Sequence, residues 1–340
     1  MICYGIVGLG YIGRTHLAAA AKVPGARVIA VCDQDDSIRR QTYPELRMYS
    51  DAGDLFADSE VDAVILCVPT WLHERYAIAA AEAGKHVLCE KPFALDAAQA
   101  TRMLEASRKS DVKLMIAQVL RFWPGYVRLV ELVREGRIGS VQSISAWRLA
   151  AYPSWSGWFR NPEQSGGCLL DLQIHDLDLV YAMLGGPEAV SASAVRSTTG
   201  SPDHVFTTLR YRDRIAHLEA SYLMPKGWPF QTGIRVNGSE GCLAYSFSVE
   251  GNIQDRAEAS HRFTLHQPGR DPNEIEVEPA DPFVEQLRYF TGQLEAGMKM
   301  YRCPPEDSLA VMRIADACRL AISTEGIVSM DAVHATDFKA

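Results

Sequence analysis

The run Ile2–Val7 leads directly into Gly8-Leu9-Gly10-Tyr11-Ile12-Gly13, which fits G-x-G-x-x-G. Glycines at that spacing suit one task, holding a pyrophosphate against backbone N–H groups. Gly8 allows a tight turn, Gly10 lets the backbone approach the phosphates, and Gly13 lets the next helix pack closely on the strand. That helix turns its N-terminus towards the phosphate charge. Tyr11 and Ile12 complete the loop and join the glycines in the cofactor-binding set. Asp33 follows 20 residues beyond Gly13, at the end of the second apolar run. A carboxylate there accepts hydrogen bonds from the adenosine ribose hydroxyls. A 2′-phosphate in the same place would meet Asp33, Asp35 and Asp36 together. The expected cofactor is therefore NAD, with NADP kept open by Arg39 and Arg40 nearby.

Further reactive groups stand where apolar runs end. One run ends in Cys67-Val68-Pro69-Thr70-Trp71-Leu72-His73, another in Cys89-Glu90-Lys91-Pro92, and a third in Gln118-Val119-Leu120-Arg121-Phe122. A dinucleotide fold binds its ligand at the carboxyl ends of strands. Pro69, Thr70, His73, Glu90 and Lys91 are accordingly expected around the cofactor, with Thr70 and His73 bordering the nicotinamide and Glu90 holding the Lys91 loop. A separate group follows Gly166-Gly167. Cys168–Leu184 reads as a helix stopped by Gly185-Gly186-Pro187. Asp171, His175 and Asp178 then fall at i, i+4 and i+7 and share one face. Leu170, Ile174, Leu177, Tyr181 and Leu184 form the opposite, core-facing stripe. Polar groups on so apolar a helix are costly to bury unless they pair or act on a ligand. Two carboxylates and one imidazole on a single helix face are thin grounds for a metal, and none is expected.

These groups need a scaffold, and the first 120 or so residues supply its pattern. Ile2–Val7, Arg27–Cys32, Ala63–Val68, His86–Cys89 and Lys113–Val119 are short apolar runs, suited to strands buried on both faces of a parallel sheet. Arg14–Lys22, Leu72–Ala83 and Asp96–Lys109 read as helices between them, the last opened by a capping-box spacing from Asp96 to Gln99. This alternation predicts an α/β fold, a doubly wound parallel sheet with helices on both sides. From about Ala189 the period shortens to two. Ala216, Leu218, Ala220 and Tyr222 alternate with His217, Glu219 and Ser221; Leu243, Tyr245 and Phe247 alternate with polar or small residues; Glu274–Glu278 alternates as well. Such alternation marks strands of an antiparallel sheet with one face buried. Helices over Gly125–Arg134, Asp281–Ala296 and Pro305–Thr324 complete the reading. The expected division is a dinucleotide-binding domain over 1–121 and a substrate-binding and oligomerisation α/β domain over 122–340. The terminal helices, 281–324, would pack back towards the first domain.

Composition narrows the function classes. The chain has 340 residues, 47% of them hydrophobic and 22% charged, ordinary for a soluble two-domain protein. The net charge of −8, without a block of Lys or Arg, argues against nucleic acid or an anionic membrane as partner. No apolar run reaches the ~20 residues of a membrane span. With a strand starting at Ile2 and no basic-then-apolar leader before it, a cytoplasmic location is expected. Eight cysteines without a C-x-x-C pair argue against zinc or a redox disulfide. Cys3, Cys32, Cys67 and Cys89 read as small apolar residues of buried strands.

Gly8–Gly13, Glu90-Lys91-Pro92 and Gly166-Gly167…Asp171…His175…Asp178 together resemble the signatures of the glucose–fructose oxidoreductase / inositol dehydrogenase (Gfo/Idh/MocA) family. Arg121, Trp158, Pro162, Glu163 and the final helices also resemble family positions, so the likeness covers essentially the whole chain. It implies a Rossmann domain, then an α/β domain whose open, mainly antiparallel sheet joins subunits into a homodimer or homotetramer. It also implies a Lys–Asp–His catalytic group, which falls on Lys91, Asp171 and His175. Cys168 and Gln173 depart from the glycines common in the family, and both are expected to reshape the pocket.

The chemistry of these side chains suits hydride transfer. Removing hydride from a carbinol carbon requires loss of the hydroxyl proton, and a histidine with a pKa of about 6.5 suits that base. His175 is assigned as acid/base, Asp171 as the group that orients it or shares its charge, and Lys91 as the cation that stabilises a developing alkoxide. Arg121, Trp155 and Trp158 join these three as the substrate wall, since rings stack on sugar faces. The implied activity is NAD(P)-dependent hydride transfer involving a secondary alcohol of a sugar, inositol or related polyol. Two alternatives stay open: NAD-dependent glycoside hydrolysis without net redox, and a nucleotide-sensing protein without catalysis.

Overall fold

The computed structural model describes residues 1–39, 43, 45–153, 157–198, 200–250 and 259–336, with only the backbone of Arg39 and of 334–336. In chain order the elements begin β1 (Ile2–Val7), α1 (Tyr11–Ala20), β2 (Ala26–Cys32), α2 (Asp36–Arg39), β3 (Arg47–Tyr49), α3 (Ala52–Ala57), β4 (Ala63–Leu66), α4 (His73–Glu82), β5 (His86–Glu90), α5 (Ala97–Lys109) and β6 (Leu114–Ala117). They continue with α6 (Pro124–Arg134), β7 (Val141–Leu149), α7 (Pro162–Ser165), α8 (Ile174–Leu184), β8 (Ala189–Arg196), β9 (Pro202–Arg210), β10 (Ile215–Ser221), β11 (Phe230–Gly238) and β12 (Cys242–Val249). Last come β13 (Ala259–His266), β14 (Asn273–Glu274), α9 (Pro282–Glu295), α10 (Pro305–Thr324), β15 (Ile327–Ser329) and α11 (Met330–Thr336). The chain divides into two units, Met1–Trp123 with Ala280–Leu309, and Pro124–Pro279 with Ala310–Ala340.

In the first unit, six parallel strands stand in the order β3-β2-β1-β4-β5-β6. This is the doubly wound arrangement expected from the apolar runs, and β4 and β6 are buried at every residue. The order reverses between β1 and β4, which opens a crevice at their carboxyl ends. One face of the sheet is covered by a helix from late in the chain. Phe283, Val284, Leu287 and Phe290 of α9 recur at helical spacing and join Tyr4, Ile6, Leu88 and Met115 in one cluster. The buried Tyr4 hydroxyl finds a partner there, Thr291 Oγ1 at 2.8 Å.

The second unit is built on a nine-stranded sheet ordered β14-β13-β12-β11-β7-β10-β9-β8-β15, in which β7 and β10 are parallel and the other neighbours antiparallel. Its period-two burial is clear: Ile144 and Ala146, Ala216 and Leu218, Ile234 and Val236, Leu243 and Tyr245 all point to one buried face. Two expectations need correction. β7 lies in the middle of the sheet although it precedes the change of period at Ala189. The alternating run Glu274–Glu278 contributes strand only through Glu274, because pairing with β13 stops after two residues.

Candidate active site

The phosphate loop has the geometry its glycines demand. Gly8 has φ +88°, and a Cβ there would lie 2.4 Å from the Cys67 carbonyl oxygen. A Cβ on Gly13 would lie 2.0 Å from the Gly8 oxygen, so α1 can approach β1 only without one. Around Gly10 nothing lies within 4 Å of the Cβ position, which leaves open space beside the first turn of α1. Tyr11 and Ile12 form that turn. Asp33, just past β2, holds the loop from the other side: Leu9 N donates to Oδ2 at 2.7 Å and Asp35 N to Oδ1 at 2.9 Å. A carboxylate at this strand end is the group that accepts from ribose hydroxyls in a dinucleotide fold. The residues present therefore fit a dinucleotide. Arg40 lies outside the described residues.

The ends of β4 and β5 meet through a histidine. His73 is 1% exposed, its Nδ1 2.9 Å from the Pro92 oxygen and its Nε2 2.9 Å from the Val68 oxygen. Burial outweighs those two carbonyls and pushes its pKa below the ordinary histidine value. The neutral ring has one N–H to give to one of these two carbonyls, so it sits between the loops on either side, while Pro69 and Thr70 lead into α4. Glu90 ends β5; its Oε2 accepts from Lys91 N at 3.2 Å and its Oε1 from His16 Nε2 at 2.8 Å. Lys91 is half-buried at the carboxyl end of the strand. Burial drives the Cys67 and Cys89 thiols well above their usual pKa, so neither is a reactive thiolate.

Arg121 has a clear local role. Its Nη1 donates to Asp307 Oδ2 at 2.8 Å and to the Arg302 oxygen at 3.2 Å, tying the end of β6 to the later segment of the same unit. Trp158 lies in a short 3₁₀ turn, stacked on Phe159 with centroids 4.0 Å apart. Trp155 lies outside the described residues.

In the second unit, the expected helix begins differently from an ideal α-helix. Leu169–Gln173 form one turn of π-helix, and α8 proper starts at Ile174. Single π turns inside helices recur at functional sites. Asp171 sits in this turn and His175 in the first turn of α8, each half-buried among buried neighbours. Within α8 His175 and Asp178 keep the i, i+3 spacing, and burial departs from the expected stripe: Asp178 is fully buried, whereas Tyr181 and Leu184 are only partly so. Asp176 is also buried and forms a two-pronged ion pair with Arg148 of β7, at 3.1 and 2.9 Å.

Cys168 and Gln173 are both buried at the π turn. Gln173 is fully buried, donating to the Val205 and Leu218 oxygens at 3.2 and 3.3 Å and accepting from Thr207 Oγ1 at 2.6 Å. Cys168 Sγ points to the Pro202 and Ala220 oxygens. Both pin the π turn to β9 and β10. The structure adds residues that sequence reading passes over. The Tyr222 hydroxyl donates to Asp171, and its ring stacks on Tyr152 at 5.1 Å. Tyr152 in turn donates to Asp203, which also accepts from Ser201 Oγ at 2.9 Å. In the sequence Tyr222 is only the last apolar member of an alternating strand. A buried tyrosine hydroxyl needs a partner, and that is the available signal. Among the described residues, no three His, Cys, Asp or Glu side chains gather as a metal ion requires, and no helix is long and apolar enough to cross a membrane.

Known proteins share this architecture. Residues 2–118 match the family described as "Oxidoreductase family, NAD-binding Rossmann fold", and residues 126–244 match the "GFO/IDH/MocA C-terminal domain". A 1,5-anhydro-D-fructose reductase of Ensifer adhaerens is 30% identical over 304 residues, covering 86% of this chain and 88% of the relative. A 2,7-anhydro-N-acetylneuraminate hydratase of Escherichia coli K12 is 29% identical over 282 residues, covering 78% and 73%. The crystal structure of a probable dehydrogenase from Thermotoga maritima superposes with a TM-score of 0.80 at 25% identity, covering 98% of this chain and all of the other.

Proposed function

This chain belongs to the Gfo/Idh/MocA oxidoreductase family, and from that premise we propose that it transfers hydride between NAD(P) and a secondary alcohol of a sugar, inositol or related polyol. The observation that carries the reading is the place of Lys91. It stands at the carboxyl end of β5, in the sheet whose β1 feeds the glycine loop and whose β4 feeds Pro69 and Thr70. An ammonium there suits an oxygen that gains negative charge as its proton leaves.

Gly8, Gly10, Tyr11, Ile12, Gly13 and Asp33 would hold the dinucleotide, which supplies the hydride acceptor or donor when bound. His175 takes the hydroxyl proton in oxidation and returns it in reduction. Asp171 orients the imidazole and balances its charge while it carries that proton. Tyr222 supports Asp171 by donating its hydroxyl to Oδ2. The acidic group Asp33, Asp35 and Asp36 favours NAD over NADP. A sugar-like substrate agrees with the sugar derivatives in the names of both relatives. The outward face of the second sheet, where Phe206 is 40% and Ile215 45% exposed beside stacked His204 and His217, is the surface we assign to self-association.

A screen of polyols, aldoses, inositols and sugar acids with NAD, followed by NADH absorbance, tests the redox reading. In the best substrate pair, Lys91→Ala and His175→Ala should each lower kcat at least a hundredfold and leave NAD affinity within about threefold. Wild-type turnover in either variant removes that residue from the mechanism. The hydratase relative favours one further reading, a reaction without net oxidation. Substrate consumed with no NADH formed would establish it.

A further inference from the structure

We propose that His16 and His73 are positioning residues for Lys91, clamping the strand end that carries it from two different helices. The proposal rests on the catalytic reading of Lys91 above, and it concerns side chains within the first unit only.

His16 lies on α1, the helix opened by the phosphate loop, and is fully buried. Its ring meets Phe283 of α9 edge-on, with centroids 5.4 Å apart, which fixes the plane of the imidazole. Its Nε2 is 2.8 Å from Glu90 Oε1. A carboxylate can only accept, so Nε2 carries the proton. The other oxygen of Glu90 receives the backbone N–H of Lys91 at 3.2 Å. Glu90 thus spends one oxygen on α1 and one on the lysine itself. On the far side of Lys91, Nδ1 of His73 on α4 lies 2.9 Å from the Pro92 oxygen and Nε2 of the same ring 2.9 Å from the Val68 oxygen; a neutral ring has one N–H, and with the proton on Nδ1 it holds Pro92. The backbone of Lys91 is therefore fixed immediately before and immediately after the residue.

This arrangement has a use that stability alone does not explain. A lysine side chain has four rotatable bonds, and its ammonium can only be placed if the backbone beneath it is. Misplacing a reacting group by about 1 Å can cost about a hundredfold in rate. The His16 contact also runs through α1, whose N-terminal turn would face the phosphates of a bound dinucleotide, so seating of the cofactor and placing of the lysine would share one rigid element.

Hydrogen exchange of the cofactor-free protein, read by mass spectrometry at the peptide spanning residues 89–95, tests the clamp without needing a substrate. In His16→Leu, which keeps the volume and loses the donor, the Lys91 amide should exchange about tenfold faster. His16→Gln, which places an amide N–H near the former Nε2, should restore most of the protection. The peptide spanning 5–13 and the affinity for NAD should stay within about threefold of wild type. Should His16→Leu fold poorly, Glu90→Met serves instead, since it removes both carboxylate oxygens. Wild-type exchange at Lys91 in a folded His16→Leu or Glu90→Met protein overturns the clamp. So does an equal rise in His16→Gln, because mere disruption of packing would not distinguish Gln from Leu. Lys91→Ala decides the underlying reading separately, since its turnover tests the lysine and leaves the histidines untouched.

Discussion

Asp176→Asn should unfold the second unit far more easily while leaving the reactive group chemically intact. Asp176 and Arg148 are 2% and 4% exposed and meet through two hydrogen bonds, so neither charge is served by water. Asn keeps the shape and one acceptor but leaves the guanidinium uncompensated in the interior. Removing one partner of such a pair costs about 3–5 kcal/mol. For a domain of this size each kcal/mol moves Tm by about 2–4 °C, so the shift should fall between about 6 and 20 °C. Urea unfolding followed by far-UV circular dichroism measures the loss directly, with the double variant Arg148→Met, Asp176→Leu as control. Replacing both charges with apolar side chains should recover most of the stability, because the attraction between buried charges barely exceeds the cost of dehydrating them. Asp171→Asn, five positions earlier and half-buried, should show the reverse pattern: stability within about 1 kcal/mol of wild type and turnover lost. A loss below about 1 kcal/mol in Asp176→Asn would refute the reasoning, as would a double variant no better than the single one.

The first unit yields two further outcomes. Asp33→Ala removes the carboxylate that accepts from Leu9 N and that we assign to the ribose hydroxyls, so NADH affinity should fall at least tenfold and the NADH/NADPH preference should narrow. Fluorescence titration with both reduced cofactors checks this, and an unchanged preference would exclude Asp33 as the ribose reader. His73 is held neutral by burial, with its pKa below 6.5, so the unfolded chain takes up a proton that the folded one refuses as pH falls. Stability should consequently decline below about pH 6.5 and continue to decline until the folded-state pKa is passed. His73→Gln should flatten that slope between pH 7 and 5.5 in urea titrations; an unaltered slope would place its origin elsewhere.

Local demands are the readable part of the sequence. Gly8 needs a positive φ and Gly13 a missing Cβ, and both requirements are met within six residues. Strands buried on both faces have no polar positions to confuse the pattern, which is why β1, β4 and β6 can be placed within a residue or two. Neither condition holds for the residues that support the site. His16 finds Glu90 across 74 positions, Tyr222 finds Asp171 across 51, and Arg121 finds Asp307 across 186. Each looks unremarkable among its neighbours: a histidine within a small-residue helix, a tyrosine closing a strand, an arginine at a strand end that invites a ligand. The π turn is hidden for the same reason, since it is held open by Cys168 and Gln173 reaching β9 and β10 rather than by any helix-breaking residue within it.

There is a physical basis for this division. A group that must meet a phosphate or a reacting oxygen is restricted to one residue type at one local geometry, and so leaves a motif. A group that must hold such a residue in place has only to donate, accept or fill space, and any segment the fold brings near can provide it. Arg121 shows the consequence within one unit: its type and position suggest a ligand contact, and nothing beside it in the sequence announces that its Nη1 also donates to Asp307 and the Arg302 carbonyl. Exchanging Arg121 should therefore affect stability before it affects the substrate. The converse applies to Glu90, whose neighbour is Lys91 and whose partner is on α1: its loss should be felt first in the placement of the lysine.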